Sequence, residues 1–154
     1  MEKKLAIIAT KGTLDWGYPP FILASTAAAL GYEVQIFFTF YGLKLLEKKM
    51  DVKVTSVGNP GMPMPMPMPV LLQALPGMQS MMTMMMKQKM KAKGVASLEE
   101  LRSLCREADV KMIACQMTVD LFDMNPSSFI DGIEFGGAAT FFEFAGESDV
   151  CLFI

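Results

Sequence analysis

Residues 109–116 read Asp109-Val110-Lys111-Met112-Ile113-Ala114-Cys115-Gln116, a short and mostly apolar run between polar residues. Such a run predicts a buried β-strand, which we place at Val110–Cys115. In open α/β sheets, ligands bind and chemistry takes place beyond the carboxyl ends of the strands. We therefore expect the thiol of Cys115 to lie at the functional edge of a sheet.

Apolar runs and helical patterns alternate along the whole chain. The runs predict five strands, at Leu5–Thr10, Glu33–Phe40, Val52–Val57, Val110–Cys115 and Asp149–Ile154. Helices are predicted from Pro19-Pro20 to Leu30, over Tyr41–Lys49, over Val70–Lys93 with a break at Pro76-Gly77, from the capping box at Ser97 to Ala108, and over Ala138–Ala145. The stretch Phe129–Ile133 is ambiguous. This alternation predicts an α/β fold with three α/β/α layers and a mostly parallel five-stranded sheet.

The chain has 154 residues, which predicts a single domain over residues 1–154. A loop rich in methionine and proline, followed by a helical segment, interrupts the strand pattern at about residues 58–94. Eleven of the 16 methionines lie between Met62 and Met90. Thioethers bind copper(I), but helical spacing explains much of this pattern as an adaptable packing surface. We therefore predict no metal.

Composition excludes several classes of function. The chain has no histidine, which removes Ser-His and Cys-His nucleophile pairs and histidine metal sites. A net charge of −2 gives no reason to expect a nucleic-acid partner. The loop Thr10–Gly17 carries no glycine-rich phosphate-binding motif, so we predict no cofactor.

The stretch Val54–Met86 has no charged residue, but six prolines interrupt it and forbid a continuous helix. Since a membrane-spanning helix needs about 20 apolar residues, we predict no membrane span. The three cysteines include no C-x-x-C pair, which suits neither a disulfide framework nor a zinc ribbon. A reducing cytoplasm is the expected location.

Each cysteine has its own expected setting. Cys105 lies on the apolar face of its predicted helix, and Cys151 lies in the middle of the last strand, so both are expected in the core. Six strand residues at about 3.3 Å each place Cys115 some 15–20 Å from Cys105, so the two should form no disulfide. Cys115 is either core filler or a reactive thiol. Its place at a strand end, before polar Gln116 and Thr118, favours the second interpretation.

Two residues after the first predicted strand, Lys11 and Gly12, are expected at the same edge of the sheet as Cys115. They either line its site or form an ordinary βα turn. Since a cation or backbone N–H groups favour a thiolate, we predict that Lys11 or backbone dipoles lower the pKa of Cys115.

The sequence resembles the DsrE/DsrF-like family of sulfur-trafficking proteins, and within it a methionine-rich DsrE-like subgroup that also carries a peroxiredoxin label. The matching pieces span nearly the whole chain: Phe38–Leu43, Gly58–Pro63, Leu75–Met78, Ile113–Met117, Asp131–Ile133 and Ser148–Val150. The element Ala114-Cys115-Gln116-Met117 is the most specific, and it adds Gln116 and Met117 to the residues expected to line the site.

The resemblance implies a three-layer α/β domain, an oligomeric protein, and a relay of sulfane sulfur with a TusA-like carrier and a rhodanese. The residue implied to carry the sulfur is Cys115, with Cys105 as a secondary cysteine of the subgroup. We expect a cytoplasmic sulfur carrier or sulfurtransferase whose Cys115 forms a persulfide or a thiosulfonate. The alternatives are a non-catalytic oligomeric scaffold and, less favoured, a thiol peroxidase.

The methionine-rich helix gives a further expectation. So many exposed methionines would form a large apolar patch, which soluble proteins normally hide. We therefore expect a homo-oligomer whose interface includes Met78, Met81, Met82 and Met85, with the Met-Pro segment beside Cys115.

Overall fold

The computed structural model describes residues 2–55 and 75–154. Its strands are β1 Lys4–Ala9, β2 Glu33–Phe38, β3 Lys111–Cys115, β4 Glu134–Gly136 and β5 Val150–Phe153. Its α-helices are α1 Leu14–Ala29, α2 Met78–Ala92, α3 Leu98–Glu107, α4 Gln116–Leu121 and α5 Ala138–Ala145. Two 3₁₀ helices cover Phe40–Leu46 and Pro126–Ser128. The Met-Pro loop of the sequence lies outside the described residues.

All described strands form one sheet in the order β4-β3-β2-β1-β5, and every neighbouring pair is parallel. Phe38 of β2 is in register with Ala9 of β1 and Ala114 of β3. The carboxyl ends of the three central strands therefore reach the same edge of the sheet. The predicted α/β fold with a parallel five-stranded sheet is confirmed.

Side chains of the central strands alternate between two cores. On one face, Ile7, Ile36 and Ala114 join the large core, which α1 and α3 cover with Phe21 and Leu98. On the other face, a smaller cluster contains Phe37, Ile113 and Cys115, with Ile8 of β1 and Phe141 of α5 packed against it. The sheet thus lies between helical layers, and Cys115 belongs to the smaller layer.

The predicted strand at Val52–Val57 is wrong in its described part, which ends at Thr55. The backbone groups of Val54 pair with α2 instead of with a strand, since its N–H donates to Thr83 Oγ1 at 3.0 Å and its carbonyl accepts from Gln79 Nε2 at 2.8 Å. The carbonyl of Lys53 accepts from the N–H of Leu14 at 2.7 Å. Val52 and Val54 are buried and alternate with charged residues in the sequence, a pattern that is typical of a strand.

The fifth strand of the sheet is β4, which follows the ambiguous stretch Phe129–Ile133. Three residues with a glutamate and a glycine give little strand signal, and β4 forms by pairing with the end of β3. The prediction that Cys151 is core filler is also wrong, because Cys151 is exposed. It lies on the edge strand β5, where its thiol donates to the carbonyl of Ala145 at the end of α5, at 3.7 Å.

Two helix boundaries differ from those expected. The first helix begins at Leu14, so Pro19 and Pro20 lie inside it instead of opening it. The expected helix over Tyr41–Lys49 is a 3₁₀ helix that ends at Leu46. In the described part of the chain, every helix is too short or too polar to cross a bilayer.

Candidate functional site

Cys115 is the last residue of β3 and the N-cap residue of α4. The helix starts directly at Gln116, so the strand passes into the helix without an intervening loop. Only 5% of Cys115 is exposed, because Phe37, Ile113 and Phe141 pack around it. The thiol is therefore held between the end of a buried strand and the first turn of a helix.

The surroundings of Cys115 act on its pKa in opposite directions. Burial raises the pKa of the thiol. The hydroxyl groups of Thr118 and Thr39 and the backbone N–H groups of Thr118 and Met117 lower the pKa, and their combined effect is larger than that of burial. The net pKa lies below the ordinary value for cysteine. These donors favour the thiolate, which is the nucleophilic form of cysteine.

The two threonines are connected to one another. Their hydroxyl oxygens lie 3.2 Å apart, and the backbone N–H of Phe40 donates to Thr118 Oγ1 at 3.2 Å. Phe40 has a φ of +50°, a left-handed conformation that is uncommon for an aromatic residue. The role of Thr39 was not predicted, because the expected strand Glu33–Phe40 contained it, whereas β2 ends at Phe38 and leaves Thr39 just beyond the strand.

Gln116 and Met117 adjoin the thiol in different ways. The side chain of Gln116 is exposed and donates to Asp120 Oδ1 at 2.9 Å, so it is directed along α4. Met117 has an exposed side chain, and its backbone N–H is one of the groups that lower the pKa of Cys115. Of these two residues, Met117 is the one whose polar group acts on Cys115.

Lys11 and Gly12 line a separate cavity of about 390 Å³. The ammonium group of Lys11 lies 4.1 Å from the centre of the Trp16 ring, and Lys11 is not among the groups that shift the pKa of Cys115. Gly12 lies against the carbonyl of Tyr41, where a Cβ atom would clash. Lys11 therefore does not lower the pKa of Cys115, whereas backbone N–H groups at the start of α4 do.

Three exposed aromatic rings that no sequence motif indicated form a group beside the site. Tyr41 stacks on Phe122 at a centroid distance of 5.8 Å, and Phe40 meets both rings edge-on. The rings line a cavity of about 310 Å³ together with Leu43, Lys44 and Met124. We call Phe40, Tyr41 and Phe122 the aromatic plate.

Cys105 has the opposite environment. It is fully buried on α3, and its thiol donates to the carbonyl of Phe21 at 3.4 Å. Burial raises the pKa of Cys105 to about 11. It belongs to the large core, on the face of the sheet that Cys115 does not share. The prediction of a buried Cys105 is confirmed, and the three cysteines are free thiols.

The methionines of α2 divide into two faces. Met82, Met86 and Met90 pack against the large core, whereas Met81, Met84 and Met85 are exposed. Of the four methionines expected at an interface, Met82 thus has a core role and Met78 is half-buried. Fewer methionines of α2 are therefore exposed than the sequence suggested.

The sequence profile described as the DsrE/DsrF/DrsH-like family matches residues 1–153. A protein of Allochromatium vinosum named sulfur carrier protein DsrE2 is 77% identical over 157 residues, covering 99% of both chains. The uncharacterized protein YrkE of Bacillus subtilis is 32% identical over 99% of this chain and 97% of its own.

A similar fold occurs in the crystal structure of the ychN protein from E. coli. The two chains match with a TM-score of 0.56 over the full length of both. Their sequences are 11% identical, so this likeness concerns the fold alone.

Proposed function

Since this chain belongs to the DsrE/DsrF/DrsH-like family, we propose that it is a sulfur carrier that holds sulfane sulfur on Cys115 as a persulfide. The observation that carries the proposal is the group of donors around a strand-end thiol, which lowers its pKa without any histidine. The 77% identical relative bears the name sulfur carrier protein, and its alignment with this chain is nearly complete.

Loading needs only a nucleophile and a leaving group. The Cys115 thiolate attacks the sulfane sulfur of a donor persulfide, R–S–S⁻. The donor S–S bond breaks, a new S–S bond joins the transferred sulfur to Cys115, and the electron pair of the broken bond leaves on the donor as R–S⁻. Sulfur moves without a net redox change, so no oxidant or cofactor takes part in this step.

The position of Cys105 argues against a thiol peroxidase. A sulfenic acid on Cys115 would need a second thiol to form a disulfide, and Cys105 lies in the other core with a pKa near 11. The pKa of Cys115 argues against an inert scaffold cysteine, because a purely structural thiol in an apolar core would have a raised pKa.

The wider setting of the protein belongs to the same proposal. We propose a single domain over residues 1–154 and a cytoplasmic location, which suits the free thiols Cys105, Cys115 and Cys151. We propose a homo-oligomer that uses the exposed methionines of α2. A TusA-like carrier and a rhodanese are the partners we propose for exchange of sulfur.

Mass spectrometry tests the site directly. The reduced protein is incubated with polysulfide, and the added mass of 32 Da for one sulfur atom is mapped to individual cysteines. We expect sulfur on Cys115 in the wild type, and its loss in Cys115→Ser. Cys151→Ser is the matched control, because Cys151 is the exposed cysteine. Equal loading of Cys115→Ser and the wild type would refute the assignment.

A further inference from the structure

Cys115 is too deeply buried for a sulfur donor to reach it without a movement of its surroundings. A sulfur that is attacked has to come within about 3–3.5 Å of the thiolate, with its leaving group on the far side. Only 5% of Cys115 is exposed, and its side chain belongs to the buried cluster of Phe37 and Ile113. Sulfur transfer therefore requires that part of the wall around this cluster moves away.

The wall on the outer side of the cluster includes Ile8 of β1 and Phe141 of α5. Both side chains are half-buried and pack against the cluster, and the ring centroids of Phe141 and Phe37 lie 5.7 Å apart. The same two side chains line a cavity of about 460 Å³, together with further residues of α5 and β5. Ile8 and Phe141 thus separate this cavity from the cluster that contains Cys115.

Of these two residues, Phe141 belongs to the more weakly held element. Ile8 is part of β1, which pairs with a strand on each side. By contrast, none of the eight residues of α5 is buried. Segments with few buried apolar contacts open locally at a low cost in free energy. The helix α5 is therefore the part of the wall that can move.

The carboxyl end of α5 is attached to two strands. The ammonium group of Lys4 on β1 lies 5.6 Å from the centre of the Phe144 ring. The carbonyl of Ala145 accepts a hydrogen bond from the thiol of Cys151 on β5 at 3.7 Å. These contacts hold the end of the helix that follows Phe141 in sequence.

The amino end of α5 lies beside Cys115 and follows two glycines. Gly136 of β4 is in register with Cys115, and Gly137 is the N-cap residue of α5. A Cβ atom at Gly137 would meet no atom within 4 Å in the described part of the chain, and its φ of −112° suits other residues. The closed structure thus does not require a glycine there, whereas a hinge gains backbone freedom from one.

Building on the proposed sulfur-carrier function, we infer that α5 opens at its amino end and that Phe141 is a gate residue that selects sulfur donors by width. Opening lifts the Phe141 ring from the cluster and connects the cavity with the thiol of Cys115. An inorganic polysulfide chain is thin and needs a small opening. A donor with a bulky organic group, such as glutathione persulfide, needs a wider one, and a partner protein has to displace α5 to exchange sulfur.

Alkylation with two reagents of different width tests the gate without sulfur. Iodoacetamide and iodoacetanilide carry the same reacting group, and the second adds a phenyl ring. We expect Phe141→Ala to raise the rate at Cys115 about tenfold for iodoacetanilide, because a half-buried ring is removed, and by a smaller factor for iodoacetamide. Phe142→Ala is the matched control, since Phe142 is the exposed neighbour on α5, and it should keep both wild-type rates. A change in the pKa of Cys115 alone would alter both rates by the same factor.

Cys105 reports global unfolding in the same samples. It is fully buried in the large core, on the other face of the sheet. We expect Cys105 to stay unmodified while Cys115 reacts in the wild type, because the opening of α5 is local. Modification of both cysteines at equal rates would show that Cys115 is reached only through global unfolding, and would overturn the inference.

Gly137→Ala keeps the gate and tests the hinge in the opposite direction. Alanine fits the closed conformation and restricts the backbone of the open one. We expect alkylation of Cys115 to slow about two- to fivefold, with no loss of thermal stability. A variant with a merely loosened site would react faster. An unchanged rate in Gly137→Ala, or an equal increase for the two reagents in Phe141→Ala, would overturn the inference.

Sulfur loading connects the gate with the proposed function. Inorganic polysulfide and glutathione persulfide serve as the thin and the bulky donor, and mass spectrometry quantifies the sulfur on Cys115. We expect Phe141→Ala to speed loading from glutathione persulfide more than loading from polysulfide, and equal factors would overturn selection by width. A wild type that acquires no sulfur overturns the proposed function, whereas the alkylation rates still decide whether Phe141 gates the thiol.

Discussion

Cys105 and Cys115 face opposite sides of the same sheet. Cys115 ends β3 in the cluster of Phe37 and Ile113, while Cys105 packs in the large core beside the carbonyl of Phe21. Their pKa values differ from that of an ordinary cysteine in opposite directions. Burial raises the pKa of Cys105, whereas hydrogen-bond donors lower the pKa of Cys115 by more than burial raises it. One chain thus holds an inert thiol and an activated one, ten residues apart in sequence.

This difference predicts selective alkylation. At pH 7, iodoacetamide should modify Cys115 and the exposed Cys151 in the folded protein, and Cys105 only after denaturation. Cys105 is both fully buried and protonated, because its pKa is near 11. Peptide mapping by mass spectrometry gives the extent at each cysteine. Modification of Cys105 in the folded protein at a rate comparable to Cys115 would contradict the assignment.

The raised pKa of Cys105 predicts a loss of stability at alkaline pH. Between the ordinary value of 9.0 and about 11, the unfolded chain releases a proton that the folded protein retains. The unfolded state then binds fewer protons, so the free energy of unfolding falls as pH rises, by roughly 3 kcal/mol over this interval. Below pH 9 this contribution is fully present.

Cys105→Ala isolates that effect, because alanine has no group that titrates. Chemical denaturation at several pH values should show the wild type losing its stability advantage over Cys105→Ala between pH 9 and 11. Cys151→Ala is the control, and it should follow the pH dependence of the wild type. A constant difference between the wild type and Cys105→Ala would show that Cys105 titrates normally.

Replacing Arg102 should destabilise the fold. Its guanidinium is buried and donates to the carbonyls of Leu45 at 2.8 Å and Glu47 at 2.7 Å, which anchors the 3₁₀ helix to α3. Arg102→Ala should lower the free energy of unfolding by about 2–4 kcal/mol, because two carbonyls lose their partner and the arginine stem its packing. Arg106→Ala, on the exposed face of α3, should cost less than 1 kcal/mol. Urea denaturation measures both.

The two faces of α2 predict two separate phenotypes. Changing Met81, Met84 and Met85 to glutamine should weaken self-association and leave thermal stability nearly unchanged, because these side chains are exposed. Changing Met82, Met86 and Met90 to glutamine should destabilise the monomer, since these side chains pack against the large core. Light scattering and thermal unfolding distinguish the effects. A wild-type monomer at micromolar concentration would refute the proposed oligomer.

Local sequence patterns predicted the elements that bury continuous apolar runs. β1, β2 and β3 were found within one or two residues of their bounds, and the capping box at Ser97 located α3 because it is purely local. The edge strand β4 was missed, since a three-residue strand depends on its pairing with β3. The described part of Val52–Val57 was misassigned because the backbone groups of Val54 pair with side chains of a helix more than 20 residues away.

The sequence likewise predicted some residues of the candidate site and not others. The strand-end position marked Cys115, and the apolar helical face marked Cys105. The contribution of Thr39 could not be predicted, because it requires the carboxyl ends of β2 and β3 to lie side by side with α4 turning back toward them. Lys11 was considered for the site because it follows the first predicted strand at the same edge of the sheet, but its ammonium group lies on the Trp16 ring.

The anchoring of Val54 by Gln79 and Thr83 has a consequence for the evolution of chain length. These bonds fix the backbone just before Thr55 against the helix that begins shortly after Leu75. The described chain before residue 56 and after residue 74 is therefore held together by bonds that involve none of residues 56–74. Doubling the number of residues in a chain segment between two fixed points costs only about 0.6 kcal/mol of closure entropy. The chain can therefore change in length between Thr55 and Leu75 while the sheet and Cys115 stay in place.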